Sequence, residues 1–168
     1  MKSTPRNYWM VVTKPEHFRA TREHGFTVLG FERAHQKKVQ RIGVGDRVLF
    51  FVSEEEVFGA TATVDSVYAE GRSPIGESDD LSEMYPLQVR IHPDVVLEEE
   101  RYIDARLVAP RMEYVRKWVP ERWYLAFLGP LHLIPKKDFA LLEEEMQKLS
   151  GARPGPGRTM APYPRSRR

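Results

Sequence analysis

The apolar residues of this chain fall into short runs that turn-forming and charged residues separate. Tyr8 to Thr13, Arg47 to Ser53 and Leu131 to Ile134 each have the length and composition of a strand. No run approaches the ~20 residues that a membrane-spanning helix needs, and the apolar stretch from Tyr8 to Val12 is too short for a signal peptide. We therefore expect a soluble cytoplasmic protein built from short strands and short helices.

Further strands follow from alternating apolar and polar residues. Phe58 to Val67 predicts the antiparallel partner of Arg47 to Ser53, with Glu54 to Glu56 as the turn between them. Leu87 to His92 predicts a half-buried strand, and Val95 to Leu97 a further short one. We expect five to seven strands in total.

The helix signals are strongest at two prolines. Thr13 and Glu16 have the spacing of a capping box, so we predict a helix from Pro15 to His24 that ends at Gly25. Pro135 opens a second helix, whose apolar residues recur at spacings of three and four. Shorter helical stretches are expected at 33–41, 112–117 and 121–128.

The sequence lacks the motifs of common catalytic and metal sites. It has no cysteine, which excludes disulfides, thiol nucleophiles and cysteine-ligated zinc. Gly43-Val44-Gly45 is only a fragment of a dinucleotide-binding fingerprint, and no phosphate loop is present. The histidines have no ligand spacing, and we expect them to be exposed or partly buried. We predict no catalytic residues, no metal and no cofactor.

The positive charge of the chain is concentrated at its end. Residues 150–168 contain five arginines and no acid, so the formal net charge of +2 becomes −3 over residues 1–149. The same segment contains four prolines and three glycines, and we expect it to be disordered. It is either a solvated tail or a basic arm that contacts phosphates.

Two clusters combine features that nucleic-acid-binding proteins use. Cations contact phosphates and aromatic faces stack on bases, although tryptophans in a small domain also serve as core residues. The first cluster comprises Arg33, Lys37, Lys38 and Arg41, and the second Arg111, Arg116, Lys117 and Arg122 with Tyr114, Trp118, Trp123 and Tyr124.

Several short motifs, taken in order, resemble the EVE family. They are Tyr8-Trp9-Met10 leading to Thr13-Lys14-Pro15, Gly45-Asp46 before Arg47 to Phe51, Tyr85-Pro86 before Val89-Arg90-Ile91, Arg122-Trp123, Gly129 and Ile134-Pro135. The match covers residues 7–149. It divides the chain into an N-terminal arm (1–6), one EVE or PUA-like domain (7–149) and a basic tail (150–168).

This resemblance implies an α+β, PUA-like fold similar to YTH domains. Short helices would pack outside a small β-barrel of five to seven strands, with a helix at the C-terminus. An aromatic pocket would take one flipped base, either a modified cytosine in DNA or a modified base in RNA. We expect such a pocket to be lined by Trp9, Thr13, Phe18, Phe26, Thr27, Tyr85 and Pro86. From their charge, we expect Lys14, Arg33, Lys37, Lys38 and Arg122 to bind phosphates.

The chain departs from the family pattern after the first helix. Relatives have a Trp-Gly pair there, whereas this chain has the segment Phe26 to Phe31. Either Phe26 or Phe31 would supply the missing ring. Two alternatives to base recognition remain: a barrel that binds a small ligand or a protein, and an ASCH-like hydrolase of RNA or nucleosides. The typical G-x-K-x-x-E-x-R motif of the hydrolases is absent.

Overall fold

The strands form one curved, mixed sheet. The computed structural model describes residues 7–70 and 85–150. The strands are β1 (Tyr8–Thr13), β2 (Val28–Phe31), β3 (Arg47–Val52), β4 (Val57–Val64), β5 (Ala69–Glu70), β6 (Leu87–Val96), β7 (Ile103–Asp104) and β8 (Leu131–Ile134). Six of them follow the order β2-β6-β4-β3-β1-β8, and the two-residue strands β5 and β7 pair with β6 and β4.

The helices lie between these strands and after the last of them. The α-helices are α1 (Pro15–Glu23), α2 (Gln36–Val39), α3 (Ala105–Val108) and α4 (Lys136–Ser150). Short 3-10 helices cover Arg33–His35, Glu99–Arg101, Ala109–Arg111, Glu113–Val115 and Pro120–Phe127. Within residues 7–70 and 85–150, no helix is long and apolar enough to cross a membrane.

The first strand lies near one edge of the sheet and sets the topology. β1 pairs in parallel with β3 from Tyr8 opposite Arg47 to Thr13 opposite Val52. β8 pairs with it antiparallel on the other side. Because parallel neighbours need a crossover connection, the chain between β1 and β3 passes over the sheet. That crossover contains α1, β2 and α2.

Two bulges bend the central strands. The register shifts between Phe50 and Phe51 where β3 meets β4, and between Thr61 and Ala62 where β4 meets β6. An extra residue in one strand increases the local twist and bends it. The sheet therefore curls into a half-barrel.

Side chains that alternate along the strands build two cores on opposite faces of the sheet. Trp9 and Phe50 belong to the first core, which packs under α1. Met10 and Phe51 belong to the second core, which α4 covers with Leu142 and Met146.

A buried carboxylate joins the start of β1 to the turn before β3. Asp46 is fully buried and accepts hydrogen bonds from Trp9 Nε1 (3.0 Å), the Gly43 amide (3.0 Å) and the Asn7 amide (3.2 Å). Gly45, with φ +92°, makes the turn that places this carboxylate. The Gly-Asp turn therefore fixes the tryptophan of β1 in the core.

The predicted α+β fold is confirmed, with corrections to its details. The described residues contain eight strands rather than five to seven, since β5 and β7 have two residues each. The predicted strands 87–92 and 95–97 form the single strand β6. The predicted arm (1–6) and the predicted tail (150–168) except Ser150 lie outside the described residues. The glycines, the proline and the acidic run of residues 69–84 predict a long loop, and most of that range also lies outside the described residues.

Candidate functional site

A cavity of about 270 Å³ opens where β1 ends and α1 begins. Its walls come from the crossover between β1 and β3, from Tyr85 just before β6, and from the turn before β8. The lining residues are Val11, Val12, Thr13, Lys14, His17, Thr21, Leu29, Gly30, Phe31, Glu32, His35, Phe50, Ser53, Tyr85, Gly129 and Pro130.

The ends of two parallel strands fix the mouth of the cavity. The Ser53 amide donates to the Thr13 carbonyl at 2.8 Å, and the Ser53 hydroxyl donates to the same oxygen at 3.3 Å. Lys14 is the N-cap residue of α1, but its side chain makes no capping hydrogen bond. The predicted capping box is wrong, because the Thr13 hydroxyl donates to the Lys14 carbonyl at 2.9 Å instead of capping the helix.

A stacked pair of rings forms one wall. The rings of His17 and Tyr85 lie with centroids 4.3 Å apart and planes inclined by 24°. Gly30 of β2 lies against Tyr85, and a Cβ atom at this glycine would come within 2.9 Å of the Tyr85 Cβ. Any larger residue at position 30 would displace the tyrosine, so glycine is what lets the ring occupy this wall.

His17 is the most perturbed titratable group at the cavity. Only 7% of the residue is exposed, and burial lowers the pKa of its imidazole to about 4 although the Glu16 carboxylate acts in the opposite direction. At neutral pH the ring is therefore uncharged and offers one donor and one acceptor. Its buried Nε2 has no hydrogen-bond partner within the described part of the chain, and such an atom is costly unless something satisfies it.

The opposite rim is held by a hydrogen-bonded histidine. His132 Nε2 donates to the Gly129 carbonyl at 3.1 Å, so its Nδ1 accepts from the Tyr114 hydroxyl at 2.8 Å. This arrangement requires a neutral ring, and burial lowers the pKa of His132, as does the nearby Lys38 ammonium. Lys38 Nζ donates to the Leu131 carbonyl at 3.0 Å, which brings α2 close to this rim.

The structure brings two of the predicted pocket residues to the cavity, Thr13 and Tyr85. Trp9, Phe18 and Phe26 are buried in the first core. Phe18 lies 5.4 Å from Phe26 between ring centroids, and these core contacts already occupy both rings.

Thr27 and Pro86 are not among the residues that line the cavity. The Thr27 hydroxyl donates to the His24 carbonyl at 2.8 Å, which closes the turn after α1. Of the two phenylalanines proposed to replace the family's tryptophan, Phe31 lines the cavity and Phe26 does not.

The predicted phosphate-binding residues occupy different positions. Lys14 is exposed at the rim, whereas Arg33 pairs with Glu70 at 2.9 Å and Lys38 binds a main-chain carbonyl. Lys37 is exposed on α2, and Arg122 is exposed in the 3-10 helix Pro120–Phe127. Lys14 is the member of this set that lines the cavity.

Sequence reasoning missed several lining residues. His17 is buried, which corrects the expectation that the histidines are exposed or partly buried. Its position just before the core residue Phe18 gave no signal of this. Glu32, His35 and Ser53 were also missed, because their place at the rim depends on the crossover and on the parallel pairing of β1 with β3.

The arrangement suits a small planar ligand. Tyr85 offers aromatic surface, the buried Phe31 closes part of the lining, and Ser53, Glu32 and neutral His17 offer hydrogen-bonding groups. Pockets for drug-sized ligands occupy roughly 300–1,000 Å³, so this cavity fits one small ring system rather than an extended molecule.

Comparisons with known proteins place this geometry in a recognised fold. No family model matches the chain. A UPF0310 protein from Pyrococcus abyssi is 23% identical over 147 residues, which cover 82% of this chain and 97% of that protein.

Solved structures share the architecture at low sequence identity. The YTH domain of Zygosaccharomyces rouxii MRB1 in complex with N6-methyladenosine RNA aligns with a TM-score of 0.59 and 14% identity, covering 87% of this chain and 92% of that one. Rpa0253 from Rhodopseudomonas palustris aligns with a TM-score of 0.53 and 15% identity, covering 85% and 94%. The chain therefore has the α+β fold of YTH domains.

Proposed function

We propose that this protein is a nucleic-acid-binding module that takes one flipped, modified base into the cavity beside Tyr85. The observation that carries the proposal is the cavity itself. A space of about 270 Å³ is bounded by the stacked rings of Tyr85 and His17, with polar groups and Lys14 at the rim. We propose a binding role rather than a catalytic one.

The energetics of base flipping agree with such a site. Extruding a base costs a few kcal/mol, which stacking and hydrogen bonds to the base edge offset. Stacking on an aromatic side chain is worth ~1–3 kcal/mol per base. Tyr85 offers the ring face, and the neutral His17 imidazole offers a hydrogen bond that needs no charged group to be desolvated.

The comparisons support the proposal by analogy. The Zygosaccharomyces rouxii YTH domain shares this fold, and its structure was solved in complex with N6-methyladenosine RNA. The order of motifs along the chain resembles that of the EVE family. This resemblance suggests modified cytosine in DNA as the second ligand to test. We propose membership of the EVE family on those motifs.

One observation favours a second candidate function. None of the lining residues is a tryptophan, and residues 1–149 carry a net charge of −3. An acidic domain without the larger indole platform suits a small-ligand or protein-binding module that does not bind nucleic acid.

A binding panel separates the two candidates. Fluorescence anisotropy would be measured with labelled single-stranded and double-stranded oligonucleotides containing 5-methylcytosine, N6-methyladenosine or the unmodified bases. We expect a preference for one modified base, and a tenfold to hundredfold weaker affinity for Tyr85→Ala than for Tyr85→Phe, because the phenylalanine retains the ring. Leu107→Ala, an exposed change outside the cavity, serves as control.

Two results would contradict base recognition. Equal affinity for modified and unmodified probes would remove the proposed selectivity. Binding that does not depend on Tyr85 would place the nucleic acid elsewhere on the protein.

A further inference from the structure

The segment 113–128, which we call the 3-10 segment, exposes an unusual amount of apolar surface. Its inner side is packed, with Val115, Ala126 and Phe127 buried and the Trp123 ring 5.6 Å from Phe127. The outer side is uncovered. Trp118 is 37% exposed, Val119 57%, Tyr124 46% and Leu128 63%.

Uncompensated positive charge accompanies these rings. The 3-10 segment, residues 113–128, has a net charge of +1, whereas residues 1–149 have a net charge of −3. Within the described ranges Arg116, Lys117 and Arg122 form no ion pair, whereas Glu113 is bound by Lys137 at 3.0 Å. The segment is therefore a local cationic and aromatic surface on an acidic domain.

A chain of contacts connects this surface to the cavity. Lys117 Nζ lies 5.2 Å from the centroid of the Tyr114 ring. The Tyr114 hydroxyl donates to His132 at 2.8 Å, and His132 in turn donates to the Gly129 carbonyl at 3.1 Å. Gly129 lines the cavity, so the 3-10 segment leads directly to its rim.

We propose that the 3-10 segment binds the nucleotides next to the flipped base in a single strand of nucleic acid, with Trp118 stacking on a base and Lys117 and Arg122 contacting phosphates. This inference rests on the proposed base-binding function. A flipped base leaves its neighbours without a stacking partner, and an exposed ring replaces that partner. Charge favours this occupant over a protein partner, because three cations without acidic partners suit a phosphate backbone.

The test compares a short and a long ligand that contain the same modified base. One probe is the free nucleoside that the binding panel selects, and the other is a nine-nucleotide single strand with that nucleoside at its centre. Wild-type protein should bind the strand more tightly than the nucleoside. Trp118→Ala should lower affinity for the strand about five- to hundredfold, Trp118→Phe should lower it less, and neither should alter affinity for the nucleoside.

The charge variants supply a second readout. Lys117→Gln and Arg122→Gln should each reduce the slope of log affinity against log salt by about 0.7, the value for one phosphate contact on a single strand. Lys148→Gln, which removes the same charge from an exposed position in the last turn of α4, should leave that slope unchanged.

Failure of this inference can be distinguished from failure of the proposed function. If the strand still requires Tyr85 but the variants at 117, 118 and 122 bind it as wild type does, the 3-10 segment does not contact nucleic acid and base recognition stands. That outcome would leave the surface for another macromolecule, such as a protein. If wild-type protein binds neither probe, both proposals are wrong.

Discussion

Replacing Gly30 with alanine should close the candidate site without introducing charge or removing a hydrogen bond. The new Cβ atom would lie 2.9 Å from the Tyr85 Cβ and 3.4 Å from the Tyr85 carbonyl oxygen. Carbon atoms pack at about 3.5–4.0 Å, so the tyrosine must move by at least about 0.6 Å. Because that movement starts at its main chain and Cβ, the ring cannot keep its place against His17.

Two free energies follow from this displacement. Overpacking a well-packed site costs about 1–3 kcal/mol of folding free energy. The loss of the stacking wall should weaken binding of the modified base by ~1–3 kcal/mol, which corresponds to about five- to 150-fold in affinity. Urea unfolding measures the first quantity, and fluorescence anisotropy with the selected oligonucleotide measures the second.

Gly59→Ala is the matched control. A Cβ atom there would lie 2.8 Å from Phe18 Cζ, which packs in the first core among Phe26 and Phe50. The variant should lose a similar free energy of unfolding but keep its affinity, because Gly59 does not line the cavity. Wild-type affinity in a folded Gly30→Ala protein would refute the assignment of this cavity as the base-binding site. Equal affinity losses in both variants would mean that binding follows stability rather than cavity shape.

Three further predictions concern buried or partly buried polar groups. Burial lowers the pKa of His17 from 6.5 to about 4. Between these two pH values the imidazole binds a proton in the unfolded chain but not in the folded protein. The free energy of unfolding should therefore fall by up to about 3 kcal/mol as the pH falls from 6.5 to 4. His17→Gln should flatten the corresponding part of the pH–stability curve. Asp46→Ala removes the acceptor of three N–H groups and should cost at least about 3 kcal/mol in urea unfolding. Tyr114→Phe removes the donor to His132 and should cost about 0.5–1.5 kcal/mol in thermal unfolding.

One result would contradict each of these three predictions. An unchanged pH dependence in His17→Gln would show that the imidazole titrates alike in the folded and unfolded states. An Asp46→Ala protein as stable as wild type would mean that solvent or another group satisfies Trp9 Nε1. A Tyr114→Phe protein with unaltered stability would assign no free energy to the bond with His132.

The sequence predicted the elements that depend on local chemistry. The strands beginning at Tyr8, Arg47 and Leu131 and the start of α1 at Pro15 follow from apolar patterning and from the fixed φ of proline. Gly25 has φ +73° at the end of α1, as its predicted role requires. These features depend only on residues that are close in the sequence, so one amino-acid sequence is sufficient to predict them.

The candidate site could be predicted only in part, because long-range packing decides which ring lines a cavity. Phe26 and Phe31 look equally suitable in the sequence and both pack in the first core, but of these two only Phe31 also lines the cavity. Thr13 and Tyr85 were predicted through family motifs. His17 could not be predicted, since its burial and its stacking on Tyr85 join residues that are far apart in the chain.

The parallel pairing of the first strand has a consequence for folding during synthesis. β1 cannot pair with β3 until Val52 has left the ribosome, and its other edge stays open until β8 emerges with Leu131–Ile134. Most residues that line the cavity belong to the first third of the polypeptide, but Gly129 and Pro130 also line it and are synthesised much later. For most of its translation the nascent chain therefore has an incomplete cavity and an unpaired strand edge, and we expect chaperones to engage it at this stage.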